Sequence, residues 1–147
     1  GGHHVPFFAR WPGKVKPGSN CERVITHTDL FATAVEVAGA GVPKGVAPDS
    51  YSYLSLLLGN EKKYSRPPVI HHSASGMFAI REGDWKLILG NGSGGRQQPK
   101  GKPFAKPYIL SNIRADQAET KNHSETDSKT ASRLEAAFVK IQKNERK

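Results

Sequence analysis

Phe78-Ala79-Ile80-Arg81-Glu82-Gly83-Asp84-Trp85-Lys86-Leu87-Ile88 is the stretch whose reading decides the fold. Apolar residues flank a Glu-Gly-Asp connection whose glycine can take the positive φ of a tight reversal, so residues 77–81 and 85–89 are expected to pair as a β-hairpin. Residues 68–73 before it and 108–113 after it have the same short, extended character. From Ser128 onward, Ala131, Leu134, Phe138 and Ile141 recur at helical spacing, with Lys129, Arg133, Lys140 and Lys143 available to water. The second half therefore reads as an antiparallel group of strands covered by a terminal helix.

The first half reads differently. Val5-Pro6-Phe7-Phe8-Ala9-Arg10-Trp11 is apolar and aromatic, closed by Gly2 and by Pro12-Gly13, the pattern of a buried core strand. Residues 23–27 are expected to be extended. Thr28 or Asp29 then offers a cap for a helix with Leu30, Phe31, Ala34, Val35, Val37 and Ala38 mostly on one face, ended by Gly39 and Gly41. Residues 40–49 form a loop, 53–58 a short apolar helix or turn, and 61–66 a charged linker. Residues 90–107, GNGSGGRQQPKGKPFAKP, are low in complexity and are expected to form a mobile loop. The fold class is α/β, more narrowly an α+β piece, with residues 1–60 forming one part and 61–147 a second.

Composition bounds the function. The 147 residues carry 22 Lys and Arg against 13 Asp and Glu, a formal charge of +9 that favours an anionic partner. The cations are spread over residues 10–23, 61–66, 96–106 and 129–147 and form no tight stripe interleaved with aromatics, so nucleic acid is not the expected partner. At 36% hydrophobic residues the chain is lean for a self-sufficient core. Cys21 is the sole cysteine, which excludes an internal disulfide or a CxxC pair, and is expected to be a half-buried structural residue beside Pro17-Gly18. No apolar run approaches the ~18 residues of a transmembrane helix. Met77 is the only methionine and Gly1-Gly2 opens the chain, so it is read as part of a longer polypeptide.

Four blocks in order resemble the sulfatase family of the alkaline-phosphatase-like superfamily. GGHHVPFFARWPGKVKPG is similar to that family's Gly-Gly-x-Arg-x-Pro to Trp-Pro-Gly segment, and HTDLFATAVEVAG to its His-x-Asp-Leu-x-Pro-Thr helix. FAIREGDWKLI resembles the Ala-Ile-Arg-x-Gly-x-Trp-Lys-Leu hairpin, and LSNIRADQAETKN the Leu-Tyr-Asp-Leu-x-x-Asp-Pro-x-Glu-x-x-Asn segment. The chain departs from these patterns at His4 (arginine in the family), Ala32 (proline), Ser50 (glycine), Ser111 (tyrosine), Asn112 (aspartate) and Gln117 (proline).

The resemblance implies the C-terminal portion of a sulfatase: the last core strand and helix of the main domain, joined to a small antiparallel subdomain that shapes the substrate entrance. It implies hydrolysis of aryl or carbohydrate sulfate esters, with sulfated small molecules or glycans as partners. It also implies calcium and a formylglycine made from Cys or Ser in a Cys/Ser-x-Pro/Ala-x-Arg motif, both expected in a preceding N-terminal portion. That motif does not occur here, and Asn20-Cys21-Glu22-Arg23-Val24 does not supply it. Sulfuryl displacement needs a nucleophile, cations at the non-bridging oxygens and a proton donor. No catalytic residue or metal ligand is therefore assigned to this chain, which alone is expected to be inactive. Periplasmic, secreted and lysosomal locations are typical of the family, and the sequence selects none of them.

His71, His72 and His4 are the candidate substrate-binding residues. Adjacent strand positions point to opposite faces, so His71 and His72 do not readily enter one pocket, while an imidazole can donate to a sulfate or sugar oxygen. Each also has a structural reading: a strand-end histidine bonded locally, or, for His4, a hydrogen-bond donor in place of arginine. His3-His4 lacks the partners of a zinc site, and His27 with Asp29 reads as helix capping. Trp11, Trp85 and Phe78 suit either sugar stacking or the core, and Arg81 and Lys86 read as exposed charges. Residues 90–95 lack the sequence of a phosphate loop and suit a flexible rim. Asn91-Gly92-Ser93 and Asn122-His123-Ser124 fit the N-glycosylation pattern. Two other functions remain open: a non-catalytic module that binds a polyanion or sulfated glycan, and part of a phosphate or phosphonate ester hydrolase.

Overall fold

Gly83 takes a φ of +56°, and Glu82 pairs with Trp85 across the turn it forms. This closes the hairpin expected from the sequence, at a position where a side chain would be strained. The computed structural model describes residues 5–144. Its strands are β1 (Val69–His72), β2 (Phe78–Glu82), β3 (Trp85–Ile88) and β4 (Ile109–Asn112), and its helices α1 (Asp29–Val37), α2 (Leu54–Leu57) and α3 (Ser128–Asn144), with a 3₁₀ turn at Glu61–Lys63. The chain divides into two compact units, Gly1–Arg66 and Pro67–Lys147.

The second unit is a four-stranded antiparallel sheet in the order β1-β2-β3-β4. Strand alternation puts Ile70, Phe78, Ile80, Trp85, Leu87 and Leu110 on one face, and Leu134 and Phe138 of α3 pack on it. Ile80, Leu87, Leu110 and Leu134 are fully buried, each contributing roughly 1.5–3 kcal/mol relative to exposure. The helix begins where Asp127 Oδ1 accepts the Thr130 N–H at 3.0 Å, which satisfies one of the amides that a helix start leaves unpaired. The helical face read from the sequence is the face that packs.

The first unit corrects two expectations. Residues 5–11 form no strand, and Phe7 and Phe8 are 50% and 91% exposed. Among the described residues this unit contains no strand at all, so the segment has no ladder to join. Residues 23–26 belong to no strand or helix. Helix α1 forms where expected but turns its other face inward: Asp29, Ala32 and Thr33 are buried, whereas Leu30, Phe31 and Val37 are exposed. The cause is a polar seam between α1 and residues 50–53. Ser50 Oγ accepts the Ala32 N–H at 2.9 Å, Asp29 Oδ1 the Tyr51 N–H at 3.0 Å and Thr33 Oγ1 the Tyr53 N–H at 3.0 Å.

Residues 61–66, read as a linker, bond back to the first unit. Tyr64 donates its hydroxyl to Val24 O at 2.7 Å, and Arg66 pairs with Asp29. Cys21 is exposed rather than half-buried, because the segment around it has no regular structure to pack it away. Among the described residues no helix is long and apolar enough to cross a membrane.

Candidate functional site

β1 is an edge strand, and its register sets His71 opposite Ala79 and His72 opposite Phe78. The two imidazoles therefore lie on opposite faces. His72 is exposed, on the helix-covered face, with its ring 5.4 Å from that of Phe78 and its Nδ1–H donated to Ser73 O at 2.9 Å. His71 is half-buried on the other face. His4 lies outside the described residues.

The end of the sheet that carries His72 is more ordered than its composition suggests. Ser73 Oγ accepts the Met77 N–H at 3.2 Å and lies 2.9 Å from Ser75 Oγ, while Ser75 donates to Gly94 O at 2.5 Å. The 90–107 segment is thereby fastened to the turn between β1 and β2. Bridges also join Gly90 to Pro103 and Ser93 to Lys100. Close approach requires the glycines: a Cβ on Gly94 would lie 2.4 Å from Met77 Cβ, and one on Gly101 2.4 Å from Gly92 N. Phe104 stacks on Phe78 with ring centres 5.8 Å apart and meets Phe138 at 6.2 Å. The expectation of an unpacked loop is overturned, since its glycines allow close backbone packing.

Several charges have structural duties. Lys86, expected to be an exposed charge, is half-buried and holds both oxygens of Glu119 at 2.8 and 2.7 Å. Arg133 pairs with Glu82, and Asp29 is fully buried beside Arg66. Asp29 also accepts the Thr26 N–H at 2.8 Å, so it bonds in three directions, and no side chain caps the start of α1 as the sequence reading of His27 and Asp29 expected. Burial pushes the Tyr64 phenol above its ordinary pKa, with the Asp29 carboxylate adding to the effect.

The two glycosylation-pattern asparagines also serve the fold. Asn122 Oδ1 accepts the Leu110 N–H and the Ser124 N–H, both at 2.9 Å, and its amide donates to Tyr108 O at 3.2 Å. Asn91 Oδ1 accepts the Lys102 N–H at 2.9 Å. In the first unit, Lys14, Lys16, Arg23, Tyr53 and Leu57 are among the residues around an open groove of about 390 Å³.

Calcium would need converging oxygen ligands. Among the described residues no three His, Cys, Asp or Glu side chains are grouped to hold a metal.

A strand-edge histidine, an aromatic row and a fastened loop lie together on one small antiparallel sheet packed against a helix. The chain is homologous to a portion of the sulfatases and shares their fold over that portion. It is 34% identical over 87 residues to an N-acetylgalactosamine-6-O-sulfatase of Bacteroides thetaiotaomicron, a match covering 59% of this chain and 17% of that protein. With an ulvan-active sulfatase of Formosa agariphila it shares 43% identity over 60 residues, 41% of this chain and 12% of the relative. A solved Bacteroides thetaiotaomicron sulfatase, from a genetic locus for the metabolism of multiple glycosaminoglycans, superposes with a TM-score of 0.72 at 26% identity. It covers 91% of this chain and 28% of its own. The chain thus spans under a third of each of these proteins. No family model matches it.

Proposed function

We propose that this chain is the C-terminal portion of a sulfatase acting on sulfate esters of carbohydrates, and that it shapes the substrate entrance while the nucleophile and calcium ligands come from a preceding portion. One observation carries the reading: sequence identity and fold coincide, over nearly the whole chain, with a sulfatase of glycosaminoglycan metabolism. The carbohydrate named in the N-acetylgalactosamine-6-O-sulfatase relative supports the same substrate class. In this reading His72, exposed at the edge of the sheet, donates a hydrogen bond to a sulfate or sugar oxygen. His4 and His71 stay as secondary candidates for such contacts. No step of sulfuryl transfer is assigned to a residue of this chain.

The chain alone, assayed with a chromogenic aryl sulfate and calcium, is expected to show no turnover. The coding sequence preceding Gly1 is expected to contain a Cys/Ser-x-Pro/Ala-x-Arg motif. Robust turnover by the chain itself, or a preceding sequence without that motif, overturns the proposal.

A further inference from the structure

Between residues 89 and 107 the chain places Arg96, Lys100, Lys102 and Lys106 and no Asp or Glu. Lys106 has Glu135 at 3.6 Å. The other three stand on the exposed outer part of the loop that the glycine contacts and the Ser75–Gly94 bond hold in place. Further backbone bonds brace it: Ser93 N donates to Pro99 O at 2.9 Å, Gly101 N to Ser93 O at 3.1 Å, and Phe104 N to Leu89 O at 2.7 Å. Gln98 Oε1 accepts the Lys100 N–H at 3.1 Å, which ties the tip to itself. Three cations on a braced ribbon lose less conformational entropy on meeting an anion than three on a flexible chain.

We infer that Arg96, Lys100 and Lys102 form a cationic rim that grips the sulfate or carboxylate groups of a polyanionic glycan. These groups lie apart from the sulfate being cleaved. The inference takes its substrate class from the proposed function and extends it to a second point of contact. Sheet topology puts the rim and His72 at the same end, because β1 finishes and the β3–β4 connection begins there. A glycan chain lying across that end meets the imidazole and the loop cations in turn. The surface favours a glycan over a nucleic acid: single-strand binders present aromatic faces to bases, and the one aromatic residue of this segment, Phe104, is already stacked on Phe78. Arginine's planar fork fits sulfate oxygens in pairs, and neighbouring Gln97 and Gln98 add amides for hydroxyl groups.

The test measures binding rather than turnover, using the full chain and a heparin octasaccharide at 50 and 150 mM NaCl (about 14 and 8 Å Debye length). R96S/K100S/K102S is expected to weaken binding at least ~10-fold. K129S/K140S/K143S, which removes equal charge from α3, should change it less than ~3-fold. Gly92→Val keeps every charge but breaks the Gly92–Gly101 approach; it should also weaken binding, with the sheet's circular dichroism unchanged. N- and O-desulfated octasaccharide, which keeps only its carboxylates, should bind at least ~10-fold more weakly. Equal losses from the two triple variants, or single-stranded DNA of matched charge binding as tightly as heparin, overturn the inference. Failure here with the formylglycine motif found upstream would leave the proposed function standing. Loop-confined binding with no such motif would do the reverse.

Discussion

Asp29 is fully buried and fastens three separate parts of the first unit: the Thr26 amide ahead of its helix, the Tyr51 amide beyond the loop and the Arg66 guanidinium. Two amides and a cation converge on one carboxylate, so the cost of removing it is dominated by what it leaves behind in a dry site. Asp29→Ala is expected to lower the unfolding free energy by about 3–5 kcal/mol, the range for breaking a buried ion pair. Asp29→Asn, which retains an acceptor oxygen, should cost less. Urea unfolding followed by tyrosine and tryptophan fluorescence checks both, and an alanine variant as stable as the parent would show that the carboxylate does not organise this unit. The sequence offered little warning. Arg66 lies 37 positions away in a charged stretch, and no spacing rule connects a helix-start aspartate to it.

At the scale of elements, legibility followed periodicity. Helix α3 and the β2–β3 hairpin were readable because an apolar stripe or a Gly-Asp turn fixes local geometry and the same residues then make the core. The 90–107 loop was not, because low complexity hid glycines chosen for close backbone approach, and the candidate rim is carried by that loop. His72 was legible as a residue, yet its place beside a cationic loop depends on a turn bonded by Ser73 and Ser75. The start of α3 carries a pH prediction. The Thr130 hydroxyl and amide hold the Asp127 carboxyl below its ordinary pKa of 3.8. Asp116 is likewise held low, chiefly by the Lys121 amide with Thr120 beside it. A depressed folded-state pKa stabilises the fold fully above the ordinary value and is lost as pH falls through the lower one. Helical circular dichroism should therefore hold between pH 5 and 8 and decline below about pH 4. Asp127→Asn, still a good cap, should show a shallower decline, and superimposed acid profiles would remove Asp127 from the account.

Across the whole molecule, apolar exposure is unevenly shared. Val5, Phe7, Phe8, Leu30, Phe31, Val37, Val42, Val46 and Leu58 are exposed in the first unit, whereas Phe104 and Val139 are the large hydrophobics exposed among the described residues of the second. The α1 stripe read from sequence as core-facing belongs to the exposed set. A stripe of that kind is a sound signal of burial, but the polar seam to residues 50–53 took the inward face instead. This pattern supports the proposal that further chain completes the first unit, while the second unit has its own closed core of Ile80, Leu87, Leu89, Leu110, Leu134 and Phe138. Local opening free energy tracks buried apolar contact, so the two units should differ in amide exchange. In the isolated chain the slowest amides are expected in β2, β3 and α3. Those of residues 5–26 should exchange fastest, and α1 should fall between because its inward face is joined by few side chains. Hydrogen exchange read by mass spectrometry on peptides from each unit decides the matter. Protection in α1 equal to that of the sheet would mean that the first unit is stable by itself and that its exposed stripe needs no covering.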